Sequence, residues 1–367
     1  MTTATQAAPA LKEIFDRARL RHFAAETKAI WPAFDDRRFL ALAGSGLDDL
    51  GIMQRMRRVA EAFGETLPED FDEAAGILCA LAPRLGHAFA SIALCEYVAL
   101  FGQRHFDRSM ATLKLLTTYG SAEFAIRHFL AADFDRTIAV MRGWAEDGNE
   151  HVRRLASEGS RPRLPWSFQL RKLIADPSPT LPILDRLKAD DSAYVRKSVA
   201  NHLNDIGKDN PDVLVATVSG WDRSDPRTGW IVRHALRTLV KKGDARALAL
   251  VGASGEADVR VERFTVTPGS LGLGGRITIE AELASTGRDA QKLVVDYAIH
   301  YVKKLGRTTR KVFKLRELTL GPGEAARLSI SQAIRNFTTR THHAGFHRVE
   351  LMVNGNTLAE TGFTIAS

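Results

Sequence analysis

Glu158, Arg161, Arg163 and Trp166 fall within nine residues of one another in the stretch HVRRLASEGSRPRLPW, residues 151–166. A carboxylate can stabilise positive charge that develops in a reaction. Arginines bind anions such as phosphate, and the face of an indole ring attracts a cation. The stretch opens as an amphipathic helix, but Gly159, Pro162 and Pro165 end it just after Glu158. Proline lacks a backbone donor and constrains the residue before it. The carboxylate is therefore expected at the mouth of an irregular, arginine-rich loop that closes on a large aromatic. Trp166 itself reads equally as a working ring or as a hydrophobic plug under the loop.

The elements that would position these residues repeat along the chain. Three segments align on a Val-Arg pair: TIAVMRGWAEDGNEHVRRLASEG, PILDRLKADDSAYVRKSVANHLNDIG and VLVATVSGWDRSDPRTGWIVRHALRTLVKKG. Each is an apolar helix, an acidic turn and a second helix opening at Val152-Arg153, Val195-Arg196 or Val232-Arg233. The valines are 43 and 37 residues apart, the period of HEAT-like helix pairs. A HEAT-like α-solenoid is expected, with DDLGIMQRMRRVAEAFGETL and FDEAAGILCALAPRL as earlier, more degenerate helices.

At about 100° per residue, Val195, Val199, Leu203 and Ile206 share one helical face and form a buried stripe. Lys197, Asn201 and Asp205 face away from it, as do Arg154 and Glu158 in the preceding repeat and His234, Thr238 and Lys242 in the following one. If second helices line the inside of a solenoid, this polar stripe meets whatever the solenoid holds; a solvated surface gives the same pattern. Arg153, Arg196 and Arg233 are expected to pair with acidic turns, for which Asp147, Asp191 and Asp225 are available.

Beyond residue 252 the pattern changes to alternating runs such as RITIEAELAS, KLVVDYAIHYV and FHRVELMVNG, separated by Gly, Pro and Asn turns. Alternation marks half-buried strands and predicts an immunoglobulin-like antiparallel β-sandwich. The domains expected are 1–252, helical, and 255–367, the sandwich. LGLGG at 271–275 lies between strands with no helix after it, so a turn is expected and not a phosphate loop.

The net charge of +8 is concentrated. Residues 303–316, KKLGRTTRKVFKLR, hold seven Lys or Arg and no acid, and residues 151–172 hold six against one Glu. Gly306 predicts a hairpin whose tip carries Lys303, Lys304, Arg307, Arg310 and Lys311. A second tip carries Arg335, Arg340, His342 and His343, whose histidines lack further metal ligands at suitable spacing. Clustered positive charge suits a polyanionic partner; a solvated basic surface is the alternative. No run is long and apolar enough to span a membrane and the first residues do not resemble a signal peptide, so a cytoplasmic protein is expected. Cys79 and Cys95 sit in apolar helices and read as buried thiols.

With these pieces together, the chain resembles the bacterial AlkC-type DNA alkylation repair glycosylases, relatives of the AlkD-type enzymes. The resemblance is carried by ALKEIFDRARLRHFAAE, YGSAEFAIRHFL at 119–130, HVRRLASEGSRPRLPW and RKSVANHLNDIGKDNPD at 196–212, and extends through the β-domain. It implies cleavage of the N-glycosidic bond of bases bearing small alkyl lesions, 3-methyladenine and 3-methylcytosine, without base flipping. It places the catalytic residues at Glu123, Glu158, Trp166 and Asp205; the three carboxylates are expected on three helices that a solenoid can bring to one concave point, with Trp166 on the loop beside them.

Double-stranded DNA containing alkylated bases is then the expected partner of a monomer without metal or cofactor. Its DNA-binding residues would be Arg154, Arg161, Arg163, Lys197, Asn201 and Lys208, with the hairpin residues Lys303, Lys304, Arg307, Arg310 and Lys311 as a clamp. Two rivals share parts of this pattern: a protein that binds damaged DNA without cutting it, and a HEAT scaffold for a protein partner.

Overall fold

The computed structural model describes residues 11–253, 256–304, 306–336 and 341–366. The chain divides into two compact units. One holds the chain up to Asn210 together with Trp221–Ile231; the other holds Pro211–Gly220 and the chain from Val232 onward.

The first unit is helical. Its N-terminal part comprises α1 (Arg17–Ile30), α2 (Asp36–Gly44), α3 (Ile52–Gly64), α4 (Phe71–Leu81), α5 (Ala88–Phe101) and α6 (Phe106–Leu116). Phe23, Phe34, Phe39 and Phe63 are fully buried there, the rings of Phe39 and Phe63 4.6 Å apart. Then follow α7 (Ile126–Ala132), α8 (Phe134–Trp144), α9 (Glu150–Gly159), α10 (Arg171–Ala175), α11 (Leu181–Arg186) and α12 (Ala193–Asp209).

The pairs α8/α9 and α11/α12 are the first two repeats expected, and the stripe Val195, Val199, Leu203 and Ile206 is buried. Short polar side chains start the second helices by accepting from backbone amides left without helical partners: Asn149 from His151, Ser192 from Tyr194 and Val195. Acidic turns bind two of the repeat arginines, Arg153 and Arg196, and Arg153 uses the turn of the neighbouring repeat. Arg153 takes the Asp190 carboxylate in two hydrogen bonds of 2.7 and 3.0 Å and reaches only the backbone carbonyl of Asp147. Arg196 bonds the carbonyls of Asp190 and Asp191.

In the second unit α13 (Pro211–Ser219), the C-terminal part of α14 (Pro226–Lys241) and α15 (Ala245–Leu250) accompany eight strands. These are β1 (Val259–Thr267), β2 (Ser270–Leu271), β3 (Arg276–Ser285), β4 (Gln291–Val302), β5 (Thr308–Leu320), β6 (Ala325–Ala333), β7 (Gly345–Val353) and β8 (Asn356–Ile365). A three-stranded sheet in the order β1-β3-β6 and a five-stranded sheet in the order β2-β8-β7-β4-β5 bury Ile277, Ile279, Tyr297, Ile299, Val349 and Phe363. This is the expected immunoglobulin-like sandwich, with one correction: β2 runs parallel to β8. That two-residue strand satisfies the end of β8, where Thr364 donates to Gly269 and Ala366 to Leu271.

Residues 272–275 form the expected turn, with Gly274 at φ +96°. Gly243, in the turn after α14, and Gly355, in the turn between β7 and β8, pack against each other, both at positive φ; a Cβ on Gly355 would lie 2.2 Å from the Gly243 Cα, so no other residue fits there.

The basic hairpin forms between β4 and β5. Lys303 and Arg307 close it through a 2.8 Å bond, and Gly306 adopts φ +75°. Lys303, Lys304, Arg307, Arg310 and Lys311 are all exposed. Arg310 also donates to Glu350 on β7 at 2.9 Å. At the second tip His342 is buried beside Tyr301, and Arg340 lies outside the described residues.

Candidate active site

Helix α9 stops where the sequence suggested. Glu158 is its penultimate residue, and Gly159 ends it against Ile126: a Cβ on Gly159 would lie 2.4 Å from the Ile126 Cγ2. Glu158 is almost fully buried, yet each of its oxygens is satisfied. Oε1 accepts from Arg161 Nη1 at 2.6 Å, and Oε2 from Ser198 Oγ on α12, also at 2.6 Å.

Arg161 holds a second carboxylate as well. Its Nε and Nη2 both lie 2.8 Å from Asp205 Oδ2, while Lys208 Nζ reaches Asp205 Oδ1 at 2.7 Å. Burial alone would lower the pKa of Arg161, but the charges of Glu158 and Asp205 together outweigh it and hold the guanidinium above its ordinary value. His202, under the same site, bonds the Ser157 carbonyl, and burial pushes its pKa down to about 3. That ring is neutral and serves packing.

Glu123 corrects the expectation of three helices. It lies in the turn before α7, where Ser121 Oγ donates to it at 2.8 Å and Arg154 pairs with it. Arg154 reaches back across α9 to within 3.7 Å of Glu158 and lies under the ring of Tyr194, 4.8 Å from its centre. Arg154 thus links the two glutamates.

These residues floor a cleft of about 480 Å³. Glu123, Arg154, Glu158 and Arg161 line it, with Phe89, Trp166 and Tyr194 among the walls. Trp166 is 60% exposed, far from a plug beneath a loop. It meets Phe89 edge-on at 6.3 Å and adopts φ +65°, a left-handed conformation that residues with a Cβ seldom take. Asp205 is 1% exposed and does not line the cleft; its link to it runs through Arg161. The wheel had set Asp205 on an outward face, but a wheel counts neighbours on its own helix only, and the loop after α9 folds over this one.

Among the expected phosphate-binding residues, Lys197 is exposed and Asn201 is half-buried on α12. Arg163 is engaged with Asp209 through two bonds of 2.6 and 2.7 Å. Ser121, Ser198, Phe89 and Tyr194 were not anticipated, since single serines and aromatics carry no distinguishing spacing. Arg127 was missed for a different reason. It looks like the polar face of AEFAIRHF, yet it is fully buried. Among the described residues no group of three or more His, Cys, Asp and Glu is arranged to hold a metal.

Helical repeats, an acidic cleft with an exposed indole and an immunoglobulin-like domain agree with the family models that match. Residues 105–239 match that of DNA alkylation repair enzymes, and residues 260–367 match the C-terminal Ig-like domain of YhaZ, described as an uncharacterised protein. These define a DNA alkylation repair protein with an appended Ig-like domain. The chain is 39% identical to YhaZ of Bacillus subtilis (strain 168) across 97% of its own length and 99% of that protein's. It matches the structure of Pseudomonas fluorescens alkylpurine DNA glycosylase AlkC bound to DNA containing an abasic site analog with a TM-score of 0.95 and 53% identity, covering 98% of this chain and all of the other. The chain belongs to the AlkC family.

Proposed function

We propose that this protein is a DNA repair glycosylase that hydrolyses the N-glycosidic bond of cationic alkylated bases in duplex DNA, 3-methyladenine and 3-methylcytosine among them, without flipping the base into a pocket. The reading is carried by the cleft lined by Glu123 and Glu158, which Arg154 links, and by an exposed Trp166. Alkylation at a ring nitrogen makes the base a cation, so the C1′–N bond is already weakened and the leaving group needs no strong acid. As that bond breaks, its electron pair neutralises the base and positive charge moves to the deoxyribose. Carboxylates near C1′ stabilise that charge. Water then attacks C1′ and gives up its proton towards a carboxylate, leaving free base and an abasic site. The indole face of Trp166 attracts the cationic lesion or its sugar.

The ion pairs give Asp205 a distinct role in this scheme. Held behind Arg161, it fixes the arginine that bonds Glu158. Arg154, Arg161 and Lys208 match Glu123, Glu158 and Asp205 in number, so the acidic site need not repel a phosphate backbone. Phosphate binding falls to Lys197, Asn201 and Arg163 with their neighbours, and to Lys303, Lys304, Arg307, Arg310 and Lys311 of the second unit, each Lys or Arg contact adding affinity by releasing counterions and Asn201 offering a neutral hydrogen bond. We read the protein as a cytoplasmic monomer that needs no cofactor.

The test is release of free base from methylated duplex DNA. Wild-type protein is expected to release 3-methyladenine and leave abasic sites. Glu158→Gln and Asp205→Asn are each expected to slow release by on the order of a hundredfold or more. Full-rate excision by both variants would sink the mechanism, and binding without release by the wild type would leave a damage-binding protein.

A further inference from the structure

Arg127, the second residue of α7, has no exposed surface. Its guanidinium donates to three backbone carbonyls: Nη1 to Gly159 at 3.0 Å and to Arg161 at 2.6 Å, Nη2 to Phe168 at 2.5 Å. Gly159 and Arg161 begin the segment joining α9 to α10, and Phe168 stands near its end. The tip between them carries Leu164, Pro165 and Trp166, all lining the cleft.

Within that segment the backbone holds itself by few bonds, Ser167 to Leu164 at 3.4 Å and Leu170 to Pro162 at 3.1 Å. Trp166 meanwhile occupies a left-handed conformation that is unfavourable for a residue with a Cβ. Such a conformation persists only where its surroundings over-determine it. A guanidinium, with donors in a rigid fork, can grip two legs of a loop at once; a lysine ammonium on a thin stem cannot hold the same spacing. Keeping a cation buried on carbonyls is costly, and burial lowers the pKa of Arg127 to about 10. An apolar residue would fill the space at less cost but would leave three carbonyls unmatched.

We propose that Arg127 is a positioning residue for the glycosylase reaction: it staples both legs of the 160–169 loop and acts on the chemistry only through the placement of Trp166. The inference rests on the reading under Proposed function.

Excision of 3-methyladenine from methylated duplex DNA is measured under single-turnover conditions with saturating protein, for Arg127→Lys, Trp166→Ala and the double variant. Arg127→Lys is expected to lower the rate by on the order of tenfold to a hundredfold, since small misplacements of a positioned group are costly. Its affinity for a duplex carrying an abasic-site analogue should stay at the wild-type level. The double variant should be no slower than Trp166→Ala alone, because both changes remove the same function. A wild-type rate for Arg127→Lys, or two effects that multiply, would overturn the proposal.

If Arg127→Lys does not fold, amide exchange of the unliganded wild-type protein decides the matter. The amide of Leu170, which donates to Pro162 across the two legs, should be as protected as those of α9, and exchange there at the rate of an open loop would overturn the staple. Should the wild type release no base, the glycosylase reading fails while the exchange measurement still tests the loop.

Discussion

The site around α9 and α12 and the hairpin between β4 and β5 are both rich in arginine and lysine, yet they use charge in opposite ways. Around Glu158 and Asp205 each carboxylate meets a cation at 2.6–2.8 Å, and Glu158, Asp205 and the Arg161 they share are buried while Lys208 closes the group from the surface. At the hairpin Lys303, Lys304 and Arg307 stand in solvent with no acid between residues 303 and 316. Buried, compensated charge fixes geometry, because removing one partner strands the other in a poorly solvated place. Exposed, uncompensated charge fixes nothing but extends a field that attracts a polyanion and that salt screens. A high count of basic residues therefore says little until the neighbours of each are known.

The sharpest way to break this comparison is Arg161→Ala, which should cost about 3–5 kcal/mol of stability by leaving Glu158 and Asp205 without their shared partner. Urea denaturation measures it, with Arg307→Ala as the counterpart expected to stay within about 0.5 kcal/mol of wild type. Parity between the two would erase the distinction.

A smaller effect follows from pH. Burial holds the His202 pKa at about 3 against an ordinary 6.5, so below 6.5 the unfolded chain binds a proton that the folded one does not. Stability is complete above that pH and falls as the pH drops towards 3, by about 1.4 kcal/mol per pH unit from this residue. His202→Gln should flatten the slope in denaturation series taken between these limits; an unchanged slope would show that other groups carry it.

The smallest effect on folding belongs to the hairpin. Lys303→Ala, Lys304→Ala and Arg307→Ala should leave the denaturation midpoint in place. Each that loses a phosphate contact should reduce the salt dependence of DNA binding by about one unit of log–log slope. Binding isotherms across a salt series read this directly, and an unaltered slope for all three would remove the hairpin from the DNA contact.

Much of this molecule is legible in its sequence because periodicity reports packing. The valines of the Val-Arg repeat point to helix pairs, and the Val195 to Ile206 stripe and the alternating residues of β3 are buried on the faces that their periods indicate, whereas β4 and β7 are buried on both faces over much of their length. What escapes is set by neighbours distant in the chain. Asp205 lies on the outward face of its own helix and is buried by Arg161, 44 residues away. Arg127 resembles any surface arginine until the loop after α9 closes on it. Glu123 sits one turn before a helix that starts at Ile126, a boundary that AEFAIRHF does not mark. The parallel pairing of β2 rests on two residues, too short a run for any period to register.

The backbone of Trp166 has a consequence for how this protein will respond to selection. Glycine or asparagine adopts φ +65° with less strain, so stability alone would not favour an indole there. Screens for heat resistance that ignore activity will discard the ring early, and Trp166→Gly is the change in which a gain in thermal robustness and a loss of repair should part company. On the role proposed for Trp166, a more durable protein and a better enzyme are different molecules at this position.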